Sequence, residues 1–339
     1  MSDATVNETQ LITDTAKRIF SDACDHALVE AAQEGEWAGD LWNTLNENGL
    51  LQIGLADSGT GLAELYAFLR EAARFAVPLP LHERLLAQVA LKRDAPGVAL
   101  AEVTFGPGAA PDAGQIALSW PEQHSQVLAL HAASGTARLL DVAALTPSPR
   151  QTMLGEPLVN LAVGSAWDAA SGSEIAVPNL FGLAALGRAA QMCGGLEASL
   201  ELAITYCSER EQFGRTLSKF QAIQHQLAVL AAEVAAAKRA TDAAVASVAE
   251  LAQESDYRAS DVAVAKVRVG AAVGTGSEIA HQVHGAMGFT MEYALHQLTR
   301  RLWHWRDEYG TESDWATLLG AEVCAGDADD LWAFISSHG

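Results

Sequence analysis

All ten prolines of this chain lie at or before Pro178, and none of residues 179–339 is proline. A proline inside a helix costs about 3 kcal/mol, because it removes a hydrogen bond and clashes with the preceding turn. A long alanine-rich stretch that excludes it can run as helix with few interruptions. The apolar spacing agrees. Phe220, Ile223, Leu227, Leu230 and Val234 step by three and four residues along one helical face. The pattern predicts helices near 180–209, 218–251, 257–284, 295–307 and 313–324, arranged as a bundle of long antiparallel helices.

The first part of the chain also carries helical periodicity. Leu11, Ala16, Ile19 and Phe20 form one stripe; Leu62, Leu65, Phe68, Leu69 and Ala72 form another. Val77-Pro78-Leu79-Pro80 interrupts the run, and Leu85, Leu86, Val89 and Leu91 resume it. Between these two helical regions the texture changes to Gly, Pro and Ser around short apolar runs, Ile116-Ala117-Leu118 and Val127-Leu128-Ala129-Leu130. That composition predicts a small β domain with many turns. The fold expected is mainly α with a small β domain: an N-terminal helical domain at 1–95, a reduced middle β domain at 96–176 and a C-terminal helical bundle at 177–339.

Several function classes are disfavoured by composition. A net charge of -21 repels a phosphate backbone, so nucleic-acid binding is not expected. No apolar run approaches the ~18 residues of a membrane span, and the polar, acidic N-terminus is unlike a signal peptide. A soluble, cytoplasmic protein is expected. Cys24, Cys193, Cys207 and Cys324 lack metal-ligand spacing and read as reduced thiols, with Cys193 and Cys207 inside apolar helical patterns. His281 and His284 share a helical face, but no third ligand lies near them, so no metal is expected. Gly274-Thr275-Gly276 follows no strand and is too weak for a phosphate loop. Two basic clusters stand out against the acidic background: Arg210, Arg215 and Lys219, and Arg300, Arg301 and Arg306. Surface charge accounts for most of them; Arg210 is set apart by its neighbours.

Arg210-Glu211-Gln212-Phe213-Gly214 precedes Phe220-Gln221, and a second run reads Gln282-Val283-His284-Gly285-Ala286-Met287-Gly288-Phe289. A third reads Asp307-Glu308-Tyr309-Gly310-Thr311. A fixed guanidinium forks onto pyrophosphate oxygens, glycines let backbone approach a ligand, and a glutamine amide can read an adenine edge. Taken separately, the first run could be a helix C-terminus capped by Gly214. Together, and with the helical–β–helical order, they resemble the acyl-CoA dehydrogenase family. The resemblance is specific over 180–320, looser over 1–95, where Ile53-Gly54-Leu55 leads into Gly59-Thr60-Gly61, and faint over 97–176.

The resemblance implies an FAD-dependent oxidation of an acyl-CoA thioester to the α,β-unsaturated product. It implies cofactor contacts from Arg210, Phe213, Gln221, Gln282, Gly285, Ala286 and Thr311, with Arg210 and Phe213 reaching an FAD held mainly by a neighbouring subunit. Ala286 departs from the family's adjacent pair of glycines. The family's catalytic glutamate falls here at Tyr309. A phenol, with an ordinary pKa of about 10, is a poor base at neutral pH. The position used by some relatives on an earlier helix is Ala184, followed by Ala185 where a substrate-contacting arginine can stand. Neither Trp120 nor Trp167 matches the tryptophan that the family places against the flavin ring. The resemblance therefore implies a non-catalytic subunit of a heteromeric, α2β2-type enzyme, with a catalytic partner of the same family and a bulky, steroid-type acyl-CoA. Two alternatives stand beside it: a homomeric enzyme using Glu308 as base, and a helical scaffold without cofactor.

Overall fold

The computed structural model describes residues 2–104, 114–132, 135–149, 156–170, 175–176, 179–251, 258–326, 329 and 331–332. The chain divides into two compact units. The first holds residues 1–65, 78–184 and 253–256; the second holds 66–77, 185–252 and 257–339.

Helices α1 (Ser2–Ala23), α2 (His26–Gln33), α3 (Gly39–Glu47), the start of α4 (Leu62–Arg74) and α5 (Leu81–Leu91) belong to the first unit. Most of the expected stripes turn inward, with Ala16, Ile19, Phe20 and Leu65 buried, but Leu11 near the start of α1 is exposed and Leu62 at the start of α4 only half-buried. Asp25 starts α2 by accepting a hydrogen bond from the Leu28 amide at 2.9 Å. The proline segment falls between α4 and α5, as its chemistry requires.

The same unit contains one sheet. Its strands are β1 (Val98–Thr104), β2 (Gln115–Ser119), β3 (Gln126–His131), β4 (Thr136–Asp141), β5 (Thr146–Pro149), β6 (Leu158–Ala162) and β7 (Ile175–Ala176), in the order β5-β6-β2-β1-β3-β4-β7. β1 and β3 are parallel, and the other pairs are antiparallel. Pairing Ala99 with Val127 and Ala101 with Ala129 puts small residues opposite one another, and Ile116, Leu118, Leu140 and Leu161 complete that core. Trp167, on the short α6 (Gly164–Ala169), closes it, with the Arg138 guanidinium 4.2 Å above its ring. Pro147 and Pro149 lie in β5, the edge strand, where a missing donor does least harm.

The second unit is built on α7 (Leu180–Glu209, entering at Ala185), α8 (Gln221–Leu251), α9 (Ala259–His284), α10 (Leu295–Asp307) and α11 (Glu312–Ala325). These boundaries follow the proline-free pattern closely. Tyr257, where one helix was expected to begin, and Pro178 lie outside the described residues. α8 and α9 pack antiparallel: Glu233 pairs with Arg268 and Ser247 with Asp261, so one helix advances as the other recedes. Gly194 on α7 lets the α4 backbone come close, since a Cβ there would meet the Arg70 carbonyl oxygen at 2.0 Å. Charge ties the same contact. Arg70 forks onto Glu197 and reaches Asp242 at 2.8 Å, while Arg74 grips Glu201 at 2.7 Å. Burial alone would lower the Arg70 guanidinium, but its carboxylate partners hold it above its ordinary value.

Candidate functional site

The Arg210–Gln221 region is a hairpin, not a capped helix end. α7 stops at Glu209, and β8 (Glu211–Gln212) pairs with β9 (Arg215–Thr216). The Leu217 amide donates to the Arg210 carbonyl at 2.8 Å and closes the loop. Phe213 and Gly214 make the turn, with φ of 53° and 78°. Positive φ at both central residues is the two-residue hairpin geometry that suits strand twist, and glycine or asparagine adopts it without strain. A phenylalanine does not. Phe213 is also 92 % exposed. Behind it, Arg215 stacks on Phe220 with its guanidinium carbon 4.1 Å from the ring centroid. Arg210 and Gln221 are exposed on either side.

The second motif lies where α9 ends. Gly285 takes φ 59° and ψ −137°, which a side chain would oppose, and a 3-10 turn over Gly285–Phe289 follows. Gln282, Gly285 and Ala286 are exposed. His284 is buried and stacks on Tyr206 of α7, ring centroids 4.6 Å apart. Tyr206 is one turn before Arg210, so this stacking brings the roots of both motifs to the same end of the unit. Phe289, Met291 and Met287 are exposed there as well.

The third motif is a separate, locked construction. Lys266 of α9 is fully buried, and its ammonium donates to the carbonyls of Trp305, Arg306 and Glu308 at 3.3, 2.9 and 2.7 Å. These carbonyls lie at the C-terminal end of α10 and its cap, where helix carbonyls run out of intrahelical donors; Trp305 also accepts from the Glu308 amide at 3.3 Å. Burial pushes Lys266 down to about 8, with Glu308 acting in the opposite sense. Glu308 itself is held from the side: Arg188 Nε lies 2.6 Å from one carboxylate oxygen and His304 Nε2 3.3 Å from the other. Arg188 also donates to Gln191 at 2.6 Å. Tyr309 is buried with φ 52°, and its carbonyl accepts the Trp315 indole N–H at 2.9 Å. Thr311 caps α11 reciprocally with Asp314. The Thr311 hydroxyl, followed by its amide, holds the Asp314 carboxyl below its ordinary range.

No carboxylate therefore occupies position 309, and the adjacent one is engaged by a guanidinium. Ala184 and Ala185 are buried and carry no acid–base group; the Ala184 carbonyl accepts from His82 Nε2 at 2.9 Å. Trp120 packs edge-on against Trp37, ring centroids 5.1 Å apart. Sequence reasoning missed Lys266 and Arg188. The available signal was weak: a single cation in each of two otherwise apolar helical faces. Among the described residues no group of three or more His, Cys, Asp or Glu could hold a metal, and no helix is long and apolar enough to cross a membrane.

Residues 170–306 match the model of the acyl-CoA dehydrogenase C-terminal domain. The acyl-CoA dehydrogenase IpdE2 of Mycobacterium tuberculosis is 27 % identical over 307 residues, covering 87 % of this chain and 90 % of that protein. The fold matches a solved steroid acyl-CoA dehydrogenase, Tcur3481-Tcur3483, with a TM-score of 0.81 over 95 % of this chain and 100 % of that one, at 23 % identity. It also matches the ChsE4-ChsE5 complex of Mycobacterium tuberculosis, with a TM-score of 0.82 over 97 % and 99 %, at 18 % identity. The chain is thus similar to acyl-CoA dehydrogenases in sequence, most specifically over residues 170–306, and shares their fold.

Proposed function

We propose that this chain is the cofactor-completing, non-catalytic subunit of a heteromeric acyl-CoA dehydrogenase in the cytoplasm. A related partner chain supplies the base and most of the flavin site, in an α2β2 assembly. The observation that carries this reading is the state of the base position. Tyr309 stands there, and Glu308 beside it is turned into an ion pair with Arg188. A carboxylate so engaged must shed that partner before it can take the α proton of a thioester.

The residues present fit a flavin dinucleotide held from outside this chain. Phe213 is exposed in a backbone conformation that costs stability, and such strain persists where a contact needs it. Arg210 adds a guanidinium suited to pyrophosphate, and Gln282, Gly285 and Ala286 offer an amide and open backbone at the same end. Gln221 opens α8 beside the hairpin. Thr311 is the weakest of the set, since its hydroxyl is used in capping. FAD, when bound, accepts the hydride that leaves the β carbon of the acyl chain. This chain's own residues bind and orient it. A bulky, steroid-type acyl-CoA is the proposed substrate class, supported by the steroid acyl-CoA dehydrogenase among the similar structures.

The test is purification of the chain alone and with a related chain encoded beside it, followed by flavin absorbance and dehydrogenation with an artificial electron acceptor. The expected result is a colourless chain alone and a yellow, active complex. A chain that is yellow and active alone would overturn the division of labour. Absence of flavin from both preparations would favour the scaffold.

A further inference from the structure

The turn that carries Gln282, Gly285 and Ala286 is fastened from inside by a histidine–tyrosine pair. His284 Nδ1 lies 2.7 Å from the Ala280 carbonyl. A carbonyl only accepts, so Nδ1 carries the proton. In the neutral ring Nε2 then holds the lone pair and accepts the Tyr293 hydroxyl at 3.2 Å. Burial lowers the His284 pKa, against the pull of the Ala280 and Leu202 carbonyls, so the neutral ring is the form present at pH 7. Tyr206 stacks on one side of the imidazole, and the Tyr293 ring stands 5.0 Å from it, tilted. Tyr293 is in turn held through its backbone, because His296 Nδ1 donates to the Tyr293 carbonyl at 2.8 Å.

The turn is wrapped closely around this core. A Cβ at Gly288 would come within 3.1 Å of His284 Cβ and of His281 Nδ1. His281 stacks beneath Phe289 at 4.6 Å and reaches the Thr299 hydroxyl at 2.9 Å. The exposed face of the turn thus has little freedom that the buried face does not allow. We propose that His284 and Tyr293 are positioning residues, setting the backbone shape that the Gln282–Gly288 turn presents to the dinucleotide end of a flavin held by the partner subunit. The inference rests on the cofactor-completing reading above.

Two measurements separate the inference from that reading. The first is hydrogen–deuterium exchange of the full chain, followed on peptides spanning 282–291. Tyr293→Phe removes the hydroxyl donor and is expected to raise uptake there and not in α8. His284→Phe keeps the stack on Tyr206 but loses both ring hydrogen bonds, and is expected to do the same. His284→Gln, whose amide can accept from Tyr293, should restore much of the protection. The second is flavin dissociation from the heteromeric complex, which Tyr293→Phe should weaken about 2- to 10-fold, the worth of one hydrogen bond. Unchanged uptake with unchanged flavin affinity overturns the proposal. Raised uptake with unchanged affinity also overturns it, and locates the failure in the flavin-facing assignment. Weakened affinity with unchanged uptake means direct contact by the hydroxyl, which equally excludes a positioning role.

Discussion

Lys266 shows how one buried side chain can hold a segment of a candidate site in place. Its ammonium serves three carbonyls at the end of α10, just before Tyr309. Lys266→Met takes this donor from all three carbonyls, of which Trp305 keeps the Glu308 amide, and is expected to cost about 1–3 kcal/mol at pH 7 in urea titration. The pH dependence has a definite sign. Lys266 titrates at about 8 in the fold against an ordinary 10.5. Between those values the unfolded chain keeps the proton that the folded chain has lost, so this group makes stability rise with pH across that window. The rise is up to roughly 3 kcal/mol, and Lys266→Met should abolish it. Neither Lys266 nor Arg188 was legible in the sequence, because their partners lie far along the chain. Arg210, Phe213 and Gln282 were singled out because their motifs are local and contiguous.

At the scale of elements, the hairpin at Phe213 and the close contact at Gly194 point in opposite directions. Phe213 pays a strain of about 1–2 kcal/mol for its left-handed backbone. Phe213→Gly should therefore stabilise the isolated chain by about 1 kcal/mol in chemical denaturation, while weakening flavin retention in the complex. A variant that loses stability would show that the edge contact of the Phe213 ring with Phe220, centroids 6.3 Å apart, outweighs the backbone strain. Gly194→Ala should destabilise by about 1–3 kcal/mol, since the new methyl meets backbone that cannot swing aside. Thermal unfolding of the variant checks it. The hairpin could not be told from a capped helix end in the sequence, because Phe-Gly is a poor signal for a two-residue turn, where Asn-Gly or Asp-Gly is usual. The long helices were legible throughout, since periodicity and the missing prolines speak for each residue of them.

For the whole molecule, the order helical, β, helical could be read from composition, but the sheet order could not. β1 lies beside β3 in parallel and beside β2 antiparallel, a pairing that no local pattern announces. Function shows the same division: motifs identify surfaces, and only the folded arrangement shows what each carboxylate is doing. The Arg188–Glu308 pair is the place where a chain that catalyses and one that completes a partner can be told apart by experiment. Glu308→Gln keeps the shape of the side chain and removes its charge. If the partner supplies the base, dehydrogenation by the purified complex should stay within about 3-fold of the parent. The chain itself should lose about 1–3 kcal/mol, because buried Arg188 loses this ion pair while its bond to Gln191 and the partial exposure of Glu308 limit the cost. Turnover on the complex and urea unfolding of the chain read the two effects separately. A fall in turnover of about a thousandfold, with stability little changed, would identify Glu308 as the base and make the enzyme complete within one chain.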